Sequence, residues 1–468
     1  MYYNGTMKSF LLLCAVVLLL GCSVSGPAPA PNILLIVADD AGWNDVGFHN
    51  PAIITPNIDE LCTNGVELDF FYVYPTCSPT RASLLTGRYA SRFGITHPIA
   101  MNSTQVLPTG TITLPGLLKK LGYTTAITGK WHLGLQPESG PLQYGFDHSY
   151  GYLHGQIDQL THEYKNGDIS WHRMDRFIEE PGHATDLITD EAIAFIHSRR
   201  DKSKPFFLYV PYSVPHYPVQ ETDEWTKHYE HMDLPASRKL FAASMTHLDS
   251  AVGRLMASLD QENIRHHTLV IFISDNGGQL EWSPAFEYQM KHGPYSKLGD
   301  NTPLRGAKTE VYEGGIRVPA IFNWPGVLPP SRNQQLINVT DLFPTIAGIC
   351  GAAGIDSLKL DGMNVWPALS GKGAIKDRVL FLRTDQSLMY RKEGWKLIHH
   401  ANSTDSSARQ ELFDIAHDPL EQQNLIDQRP EIARLLWTGM QQQVDLEDSL
   451  KLTSFAPAEK QINTEHGL

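Results

Sequence analysis

The chain has 468 residues, of which 42% are apolar and 19% are charged, and its formal net charge is −13. This composition is typical of a globular protein and excludes disordered, collagen-like and coiled-coil chains. The excess of acidic residues also argues against binding to nucleic acid, because phosphate contacts need a basic surface.

The N-terminal segment carries an export signal. Residues 10–20 are an uninterrupted apolar run behind Lys8, too short to cross a bilayer but typical of a signal-peptide core. Residues 1–30 are therefore predicted to be a leader and linker. Leu19-Leu20-Gly21-Cys22 resembles a bacterial lipobox that would lipidate Cys22, and ordinary cleavage between residues 23 and 30 is the alternative. Both predict an exported protein that is periplasmic, an outer-membrane lipoprotein or secreted, with membrane contact only through Cys22.

Residues 31–350 alternate between two kinds of pattern. Short apolar runs bounded by turn residues are typical of buried parallel strands, and they occupy Ile33–Ala38, Thr124–Thr128, Pro205–Val210 and Leu269–Ser274. Apolar residues recur at helical spacing in Thr185–Arg199 and Ser237–Leu259. This alternation predicts an α/β domain whose sheet is covered by helices on both faces.

The pattern changes after residue 350. Short strand-like segments with close turns follow each other at Val379–Arg383, Leu388–Arg391, Trp395–Ile398 and Glu411–Asp414. We therefore predict a smaller C-terminal α+β domain, residues 351–468, built on an antiparallel sheet.

Each of the four predicted parallel strands is followed by polar residues that suit chemistry. These are Asp39-Asp40, Lys130 with His132, His216, and Asp275-Asn276. Ligands of open α/β sheets bind at the carboxyl ends of the strands, so we expect the four groups to meet in one crevice. Clustered carboxylate and amide oxygens favour a hard cation, and calcium tolerates the irregular geometry of two such pairs.

Cysteines are few. Beyond the leader only Cys62, Cys77 and Cys350 occur, so a disulfide framework is not available. Cys77 stands two residues before Pro79, which can begin a helix. The cysteine is therefore predicted at a helix N-terminus, where backbone N–H groups favour an anion.

Two long motifs resemble those of a known family. Cys77–Gly87 matches C-x-P-x-R-x4-T-G at every fixed position, and Gly122–His132 matches a Gly-Tyr segment ending in Gly-Lys-aromatic-His. The chain thus resembles the type I sulfatases, of the arylsulfatase and N-acetylgalactosamine-4-sulfatase-like branch, over roughly residues 31–425. The resemblance implies an alkaline-phosphatase-like α/β fold, with a large mixed, mostly parallel sheet between helices and a smaller C-terminal domain on an antiparallel sheet. Further matches lie at Ser274–Gly278, Pro303–Lys308, Glu313–Arg317 and Glu411–Asp414.

The resemblance also implies a reaction, the release of inorganic sulfate from a sulfate ester. Cys77 would be oxidised to formylglycine by a formylglycine-generating or anaerobic sulfatase-maturating enzyme, and its hydrate would be the nucleophile. One calcium ion would bind the modified Cys77 together with Asp39, Asp40, Asp275 and Asn276.

The family assigns the other site residues by the same motifs. Arg81 and Lys130 would hold formylglycine and sulfate, and Lys308 would contact sulfate and the bridging oxygen. His132 would take a proton from the hydrate as sulfate leaves, whereas His216 would protonate the leaving alcohol. Arg305 and Arg317 match the family too, but we interpret them as structural.

Other reactions of the superfamily are alternatives. Two-zinc phosphatases are disfavoured, because Asn276 stands where a second zinc would need histidine and Cys77 replaces a hydroxyl nucleophile. A broad arylsulfatase and a formylglycine-dependent phosphonate or phosphodiester hydrolase stay open.

Aromatic and polar residues interleave after the second motif, in Tyr150–Asp158 and His162-Glu163. Stacking faces next to hydrogen-bonding groups suit a sugar ring. We therefore predict a sulfated carbohydrate substrate, from a glycosaminoglycan or an algal polysaccharide, with His154, Asp158 and His162 in its binding. The irregular segment Glu281–Asp300 is the second predicted wall of the site.

Overall fold

The structure is a computed structural model, and it describes residues 30–101, 103–198, 201–284, 286–401 and 409–452. The predicted signal peptide and the lipobox residue Cys22 lie outside these ranges. Within them, each helix is too short or too polar to span a bilayer.

The largest element is a mixed sheet of ten strands whose central members are parallel. Its strands in spatial order are β11 (Ser331–Asn333), β2 (Val66–Leu68), β10 (Ala320–Asn323), β9 (Thr268–Ser274), β1 (Asn32–Ala38), β8 (Phe206–Pro211), β4 (Thr124–Lys130), β5 (His148–Tyr152), β6 (Trp171–Arg173) and β7 (Arg176–Phe177). A separate pair joins β3 (Phe71–Tyr72) to β12 (Ile337–Asn338).

The central strands are those that the apolar runs predict. β1 pairs in parallel with both β9 and β8, and β8 pairs in parallel with β4. Every residue of β1 is buried, and successive residues belong to two apolar clusters on opposite faces of the sheet. Both faces are therefore covered, as the continuous apolar runs require.

Helices cover the two faces. α4 (Ala184–Ser198) and α6 (Ala236–Gln261) pack together on one face, whereas α2 (Cys77–Thr86), α3 (Leu114–Lys120) and α8 (Leu342–Ile349) contribute to the core of the other. The remaining helices are α1 (Pro56–Thr63), α5 (Asp223–Thr226), α7 (Glu313–Ile316), α9 (Trp366–Leu369) and α10 (Pro430–Ser449). The predicted sheet between two helical layers is confirmed.

The C-terminal sheet is antiparallel, as predicted. Its strands follow in chain order: β13 (Val379–Arg383), β14 (Ser387–Lys392), β15 (Trp395–His400) and β16 (Arg409–Asp414). α10 packs on β14 and β15. Phe381, Leu397 and Leu412 belong to the same apolar cluster as Ile33 and Leu35 of β1, so the two sheets share one core. The division into domains near residue 350 stays a proposal.

A buried ion cluster also joins the C-terminal sheet to the catalytic region. Lys396 of β15 lies 3.0 Å from Glu313 of α7 and 2.7 Å from Glu421, and all three side chains are buried. Tyr72 of β3 donates a further hydrogen bond of 2.6 Å to Glu313. Glu313 also lies 3.8 Å from Arg391 and 4.0 Å from Arg317, whereas Lys396 is the cation paired with Glu421. Lys396 therefore balances much of the buried negative charge, because a buried charge needs an opposite charge beside it.

Replacement of Lys396 by methionine is expected to destabilise the protein by about 3–5 kcal/mol, because it removes the cation paired with the buried Glu421. Glu313 would keep only the more distant Arg391 and Arg317. Denaturant-induced unfolding, followed by fluorescence, measures the change. Lys392→Met is the matched control, since that lysine lies on β14 with a side chain 41% exposed. Equal midpoints for the two variants would show that the cluster adds nothing to stability.

Candidate active site

The two acidic pairs lie side by side because their strands are in register. Ala38 at the end of β1 pairs with Ser274 at the end of β9, and the backbone N–H of Asp275 donates to the Ala38 carbonyl at 3.1 Å. Asp40 takes a left-handed backbone conformation with φ of 72°. Such a conformation is uncommon for a residue with a side chain and is found at functional sites.

Two oxygen atoms of the described acidic cluster lack a hydrogen bond. Asp39 Oδ1 and Asn276 Oδ1 are buried and accept no hydrogen bond. Burial, together with the nearby carboxylate of Asp275, raises the pKa of Asp39 to about 8 in spite of Lys130. A cation placed among these atoms would satisfy the free oxygens and keep Asp39 ionised. Asp39, Asp40, Asp275 and Asn276 therefore fit a hard divalent metal such as calcium.

Three cationic side chains surround the carboxylates, and they come from a strand, a helix and a loop. Lys130 at the end of β4 lies 2.6 Å from Asp39 Oδ2, and Arg81 of α2 lies 2.7 Å from Asp275 Oδ2. Lys308 lies 2.7 Å from Asp40 Oδ2. All three are buried. This concentration of positive charge is suited to an anionic group, because little water remains to screen it.

A close backbone approach sets the position of Lys130. Gly129 precedes it with φ of 133°, and a Cβ atom built there would lie 1.9 Å from the Pro211 carbonyl of β8. Only glycine permits this contact between the two strands. The Gly-Lys pair of the second motif thus has a structural reason as well as a chemical one.

Cys77 is the first residue of α2, and its side chain is buried. Burial raises the pKa of the Cys77 thiol, although the charges of Lys130 and Lys308 oppose that shift. The unmodified thiol therefore stays protonated near neutral pH and is a weak nucleophile. Its surroundings suit a bound anion, because the helix N-terminus and both lysines face it.

His132 has one free ring nitrogen. Its Nε2 lies 3.0 Å from the Ile99 carbonyl, whereas Nδ1 is buried without a hydrogen-bond partner. Donation from Nε2 to the carbonyl leaves Nδ1 as the atom that can accept a proton. Burial and the neighbouring Lys130 lower the pKa of His132 well below its usual range, so the ring is neutral.

His216 extends from the loop after β8 towards the acidic pair. Its Nδ1 lies 2.6 Å from the Tyr217 carbonyl, and its Nε2 lies 3.6 Å from Asp40 Oδ2. Burial and Lys308 lower the pKa of His216 well below its usual range. An anionic sulfate beside it would oppose this shift, because a negative charge favours the protonated ring.

All the residues assigned to catalysis and metal binding therefore lie at one edge of the sheet. Sequence reasoning missed residues that support them. Ser78 donates to the His132 carbonyl at 2.9 Å and accepts from the Ile99 N–H at 3.0 Å, so it connects both sides of the histidine. Tyr209 accepts a hydrogen bond from Arg81. Neither stands out in a sequence, because serine and tyrosine are common in strands and caps.

Two segments border the site, and we name residues 154–168 the first wall and residues 281–300 the second wall. Gly155 of the first wall packs against the His132 ring, where a Cβ atom would lie 2.5 Å from its Nε2. Trp282 of the second wall stacks on Tyr217 at 4.3 Å, next to His216. Each wall therefore touches one of the two histidines or its neighbour.

The two walls also hold each other. His292 of the second wall lies 2.8 Å from Asp158 of the first, and Lys165 of the first lies 2.6 Å from Glu287 of the second. Asp158 accepts two further bonds from backbone N–H groups of its own segment and one of 3.2 Å from Gln220. Protein donors thus surround this carboxylate.

The two predicted substrate-binding histidines are buried and contact protein groups. His154 Nδ1 lies 2.8 Å from Ser170 Oγ, and its ring stacks on Tyr164. His162 Nε2 lies 3.0 Å from the Gly182 carbonyl, and its ring stacks on Trp171. The role of His154, Asp158 and His162 in substrate binding stays a prediction.

The two arginines interpreted as structural contact the surrounding framework. Arg305 donates to the Glu421 carbonyl at 2.9 Å and covers the Tyr312 ring. The Arg317 guanidinium lies between the rings of Trp43 and Phe70.

The sequence matches the pattern of a known protein family. The model described as Sulfatase matches residues 31–352, which include all of the site residues above. The chain belongs to the sulfatase family. It is therefore a sulfuric ester hydrolase, and the predicted family and enzyme class are confirmed.

Its relatives include sulfatases that share most of their length with it. The chain is 34% identical over 394 residues to arylsulfatase G of Rattus norvegicus, covering 77% of this sulfatase and 73% of the relative. It is 32% identical over 408 residues to N-acetylgalactosamine-6-sulfatase of Homo sapiens, covering 82% and 74% respectively.

Solved structures confirm the alkaline-phosphatase-like fold. The crystal structure of Ps i-CgsB in complex with k-i-k-neocarrahexaose matches with a TM-score of 0.80 and 30% identity, covering 94% of this sulfatase and 98% of that chain. A phosphonate monoester hydrolase of Agrobacterium radiobacter matches with a TM-score of 0.59 at 17% identity, covering 90% and 96%, which shows a shared fold alone.

Proposed function

We propose that this sulfatase releases inorganic sulfate from a sulfated carbohydrate, with formylglycine made from Cys77 as nucleophile and one calcium ion as cofactor. The observation that carries the proposal is the burial of Cys77 at a helix N-terminus beside Lys130, Lys308 and Arg81, next to an oxygen-rich cluster. A sulfate ester repels nucleophiles through its own oxygens, and these charges would offset that repulsion.

Each group would have one task. The hydrate of formylglycine at position 77 would supply the attacking hydroxyl. Calcium, held by Asp39, Asp40, Asp275, Asn276 and the modified residue, would supply positive charge at the sulfate oxygens. Lys130, Arg81 and Lys308 would hold and neutralise the sulfate group, and Lys308 would also reach the bridging oxygen.

The two histidines differ in the atoms they offer. The neutral His132, with its free Nδ1, is suited to accept the hydrate proton as sulfate leaves. His216 is suited to protonate the departing alcohol through Nε2, since Nδ1 is engaged by the Tyr217 carbonyl. His132 would therefore serve the proton transfer at the nucleophile, and His216 would serve the proton transfer at the leaving group.

A carbohydrate is the favoured substrate class because of the walls. Trp282, Tyr217 and Tyr295 form a continuous aromatic stack beside His216, with ring centroids 4.3 and 5.7 Å apart. The half-buried Trp282 leaves part of this apolar cluster at the border of the site, where it could contact a sugar ring. The solved complex of Ps i-CgsB with an oligosaccharide supports the same class. We propose that His154, Asp158 and His162 contribute by fixing the shape of the first wall.

Maturation and export follow from the same proposal. Oxidation of Cys77 needs a formylglycine-generating or anaerobic sulfatase-maturating enzyme as partner. The predicted leader would direct the protein to the periplasm, the outer membrane through lipidated Cys22, or the medium.

The test combines two measurements on protein from a host with a maturation system. Mass spectrometry of the peptide that contains position 77 should detect formylglycine, and a panel of sulfated glycosaminoglycan and algal oligosaccharides should release sulfate. Aryl sulfates and phosphonate monoesters belong in the same panel. Faster turnover of either class than of every sugar sulfate would replace the proposal with the arylsulfatase or phosphonate hydrolase alternative.

Replacement of His216 by alanine is expected to lower kcat/KM on a sugar sulfate by about 10²–10⁴-fold, the usual contribution of a general acid. On 4-nitrophenyl sulfate the loss should be small, because nitrophenolate leaves without a proton. Both losses are measured on one preparation of the variant. Because misfolding would lower both rates equally, the ratio of the two losses is unaffected by it. Equal losses on both substrates would refute the general-acid role.

A further inference from the structure

One buried amide, the side chain of Asn301, lies where three loops of the active site meet. Asn301 directly follows the second wall and is 2% exposed. Its Oδ1 accepts a hydrogen bond from the Gly278 N–H at 2.7 Å, and its Nδ2 donates to the Gly278 carbonyl at 2.9 Å. Nδ2 donates a second hydrogen bond of 3.2 Å to the Gly306 carbonyl. Both amide hydrogens are therefore bonded, and the reverse orientation would place Oδ1 against two carbonyls.

The two glycines that Asn301 binds are close in sequence to active-site residues. Gly278 lies two residues after Asn276, and Gly306 lies two residues before Lys308. The backbone N–H of Lys308 donates to the same Gly278 carbonyl at 3.3 Å. Asn301 thus connects the loop after β9, which carries an acidic pair of the site, to the loop that carries the lysine.

The loop after β1 is held to the same point through Asp45. The buried Asp45 carboxylate accepts hydrogen bonds from the Gly42 N–H at 2.8 Å and from the Asp300 N–H at 3.0 Å. Arg238 of α6 lies 2.5 Å from this carboxylate and balances its charge. The backbone beside Asn301 is therefore anchored, so the amide itself has a fixed position.

We propose that Asn301 is a positioning residue that keeps Lys308 at a fixed distance from the acidic cluster. Lys308 Nζ lies 2.7 Å from Asp40 Oδ2, and in the proposed function, on which this inference rests, it also contacts the sulfate group. Lys308 comes from a loop, so its ammonium group stays in place only if that loop is anchored. A displacement of about 1 Å at a reacting centre can lower a rate by about 100-fold.

Replacement of Asn301 by alanine removes all three hydrogen bonds of the amide. We expect kcat to fall by about 10- to 100-fold at saturating calcium, because Lys308 is no longer held in place. The rate is measured on the fastest sulfate ester of the panel described above. It is expressed per formylglycine found by mass spectrometry, so that incomplete maturation does not enter the comparison.

The matched control is Asn323→Ala. Asn323 is also 2% exposed, and its side chain donates to the Leu61 carbonyl at 2.9 Å. It pairs with Val270 near the start of β9, whereas the active site follows the end of that strand. Both variants lose a buried amide and should unfold at lower denaturant concentrations, but Asn323→Ala should keep its kcat.

A double-mutant cycle with Lys308→Ala separates positioning from a general loss of structure. If Asn301 acts through Lys308, Asn301→Ala should cost about threefold or less in a chain that already carries Lys308→Ala, because coupled residues give non-additive losses. Losses that multiply, or an unchanged kcat of Asn301→Ala, would overturn this inference alone. Full activity of Lys308→Ala would overturn both this inference and the proposed role of Lys308.

A second variant keeps the test decisive if alanine at position 301 impairs folding. Asn301→Asp has the same size and can still accept from the Gly278 N–H, but its carboxylate cannot donate to the Gly306 carbonyl. The same fall in kcat and the same non-additivity with Lys308→Ala are expected. A folded Asn301→Asp protein with the kcat of the unsubstituted enzyme would show that the bond to Gly306 does not position Lys308.

Discussion

Replacement of Cys77 by alanine is expected to reduce sulfate release by about 10⁴-fold or more, the scale seen when a nucleophile is removed. In the part of the chain that the structure describes, Cys77 is the one cysteine beside Lys130 and Lys308, and alanine at this position has no group that can be oxidised to the aldehyde. Cys77 is also small, so alanine should leave the fold intact. Sulfate release is measured by ion chromatography, and the fold by circular dichroism.

The Cys77→Ser variant tests whether the nucleophile must be an aldehyde hydrate or whether a simple hydroxyl is enough. Cys77→Ser should turn over extremely slowly, because a serine hydroxyl that has attacked sulfur cannot expel sulfate by collapsing to an aldehyde. Cys62→Ala is the matched control, since Cys62 is half-buried in α1. Turnover of Cys77→Ser at the rate of the unsubstituted enzyme, with serine at position 77 shown by mass spectrometry to be unoxidised, would mean that formylglycine is not needed.

Conversion of Asp39 and Asp40 to asparagine is expected to weaken calcium binding by about 100-fold or more, because calcium affinity depends strongly on the charge of its ligands. Asparagine keeps the shape of both side chains and can still accept hydrogen bonds from Lys130 and Lys308, but it leaves these buried ammonium groups without their carboxylates. We therefore expect a folded but less stable protein, which circular dichroism checks before calcium is titrated. Sulfate release should fall together with calcium occupancy. Isothermal titration of chelator-treated protein with calcium measures the affinity.

The matched control for charge is Asp175→Asn with Asp201→Asn, which removes two exposed carboxylates outside the site and its walls. This control should bind calcium as the unsubstituted protein does. If calcium affinity is unchanged in the Asp39 and Asp40 variant, the metal site lies somewhere else.

The fold and the residues around Cys77 were largely predictable from local patterns. Buried parallel strands leave continuous apolar runs, and the residue after each run lies at the same edge of the sheet, which brings Asp39 and Asp275 together. Lys130 and His132 follow from one motif for the same reason. These residues can be placed without knowing which distant segments pair. In a parallel sheet, the residue that follows each strand lies at the same edge as the residues that follow its neighbours.

The contacts between the two walls were not predictable in this way. Asp158 and His292 are 134 residues apart, so no spacing in the sequence relates them. The sequence also does not reveal the order of the strands. β10 pairs antiparallel with β9, but a long irregular segment separates the two strands in the chain. Such pairings depend on tertiary packing, and a single sequence carries no period or motif for them.

The mutual support of the two walls has a consequence for how new specificities arise in this enzyme. Because His292 bonds to Asp158 and Lys165 pairs with Glu287, a foreign loop grafted in place of one wall would leave charged groups of the other without partners. The two walls, residues 154–168 and 281–300, therefore have to be exchanged together. Chimaeras that transplant both segments together should express and fold, whereas single-loop grafts should lose rigidity beside His132 and Tyr217.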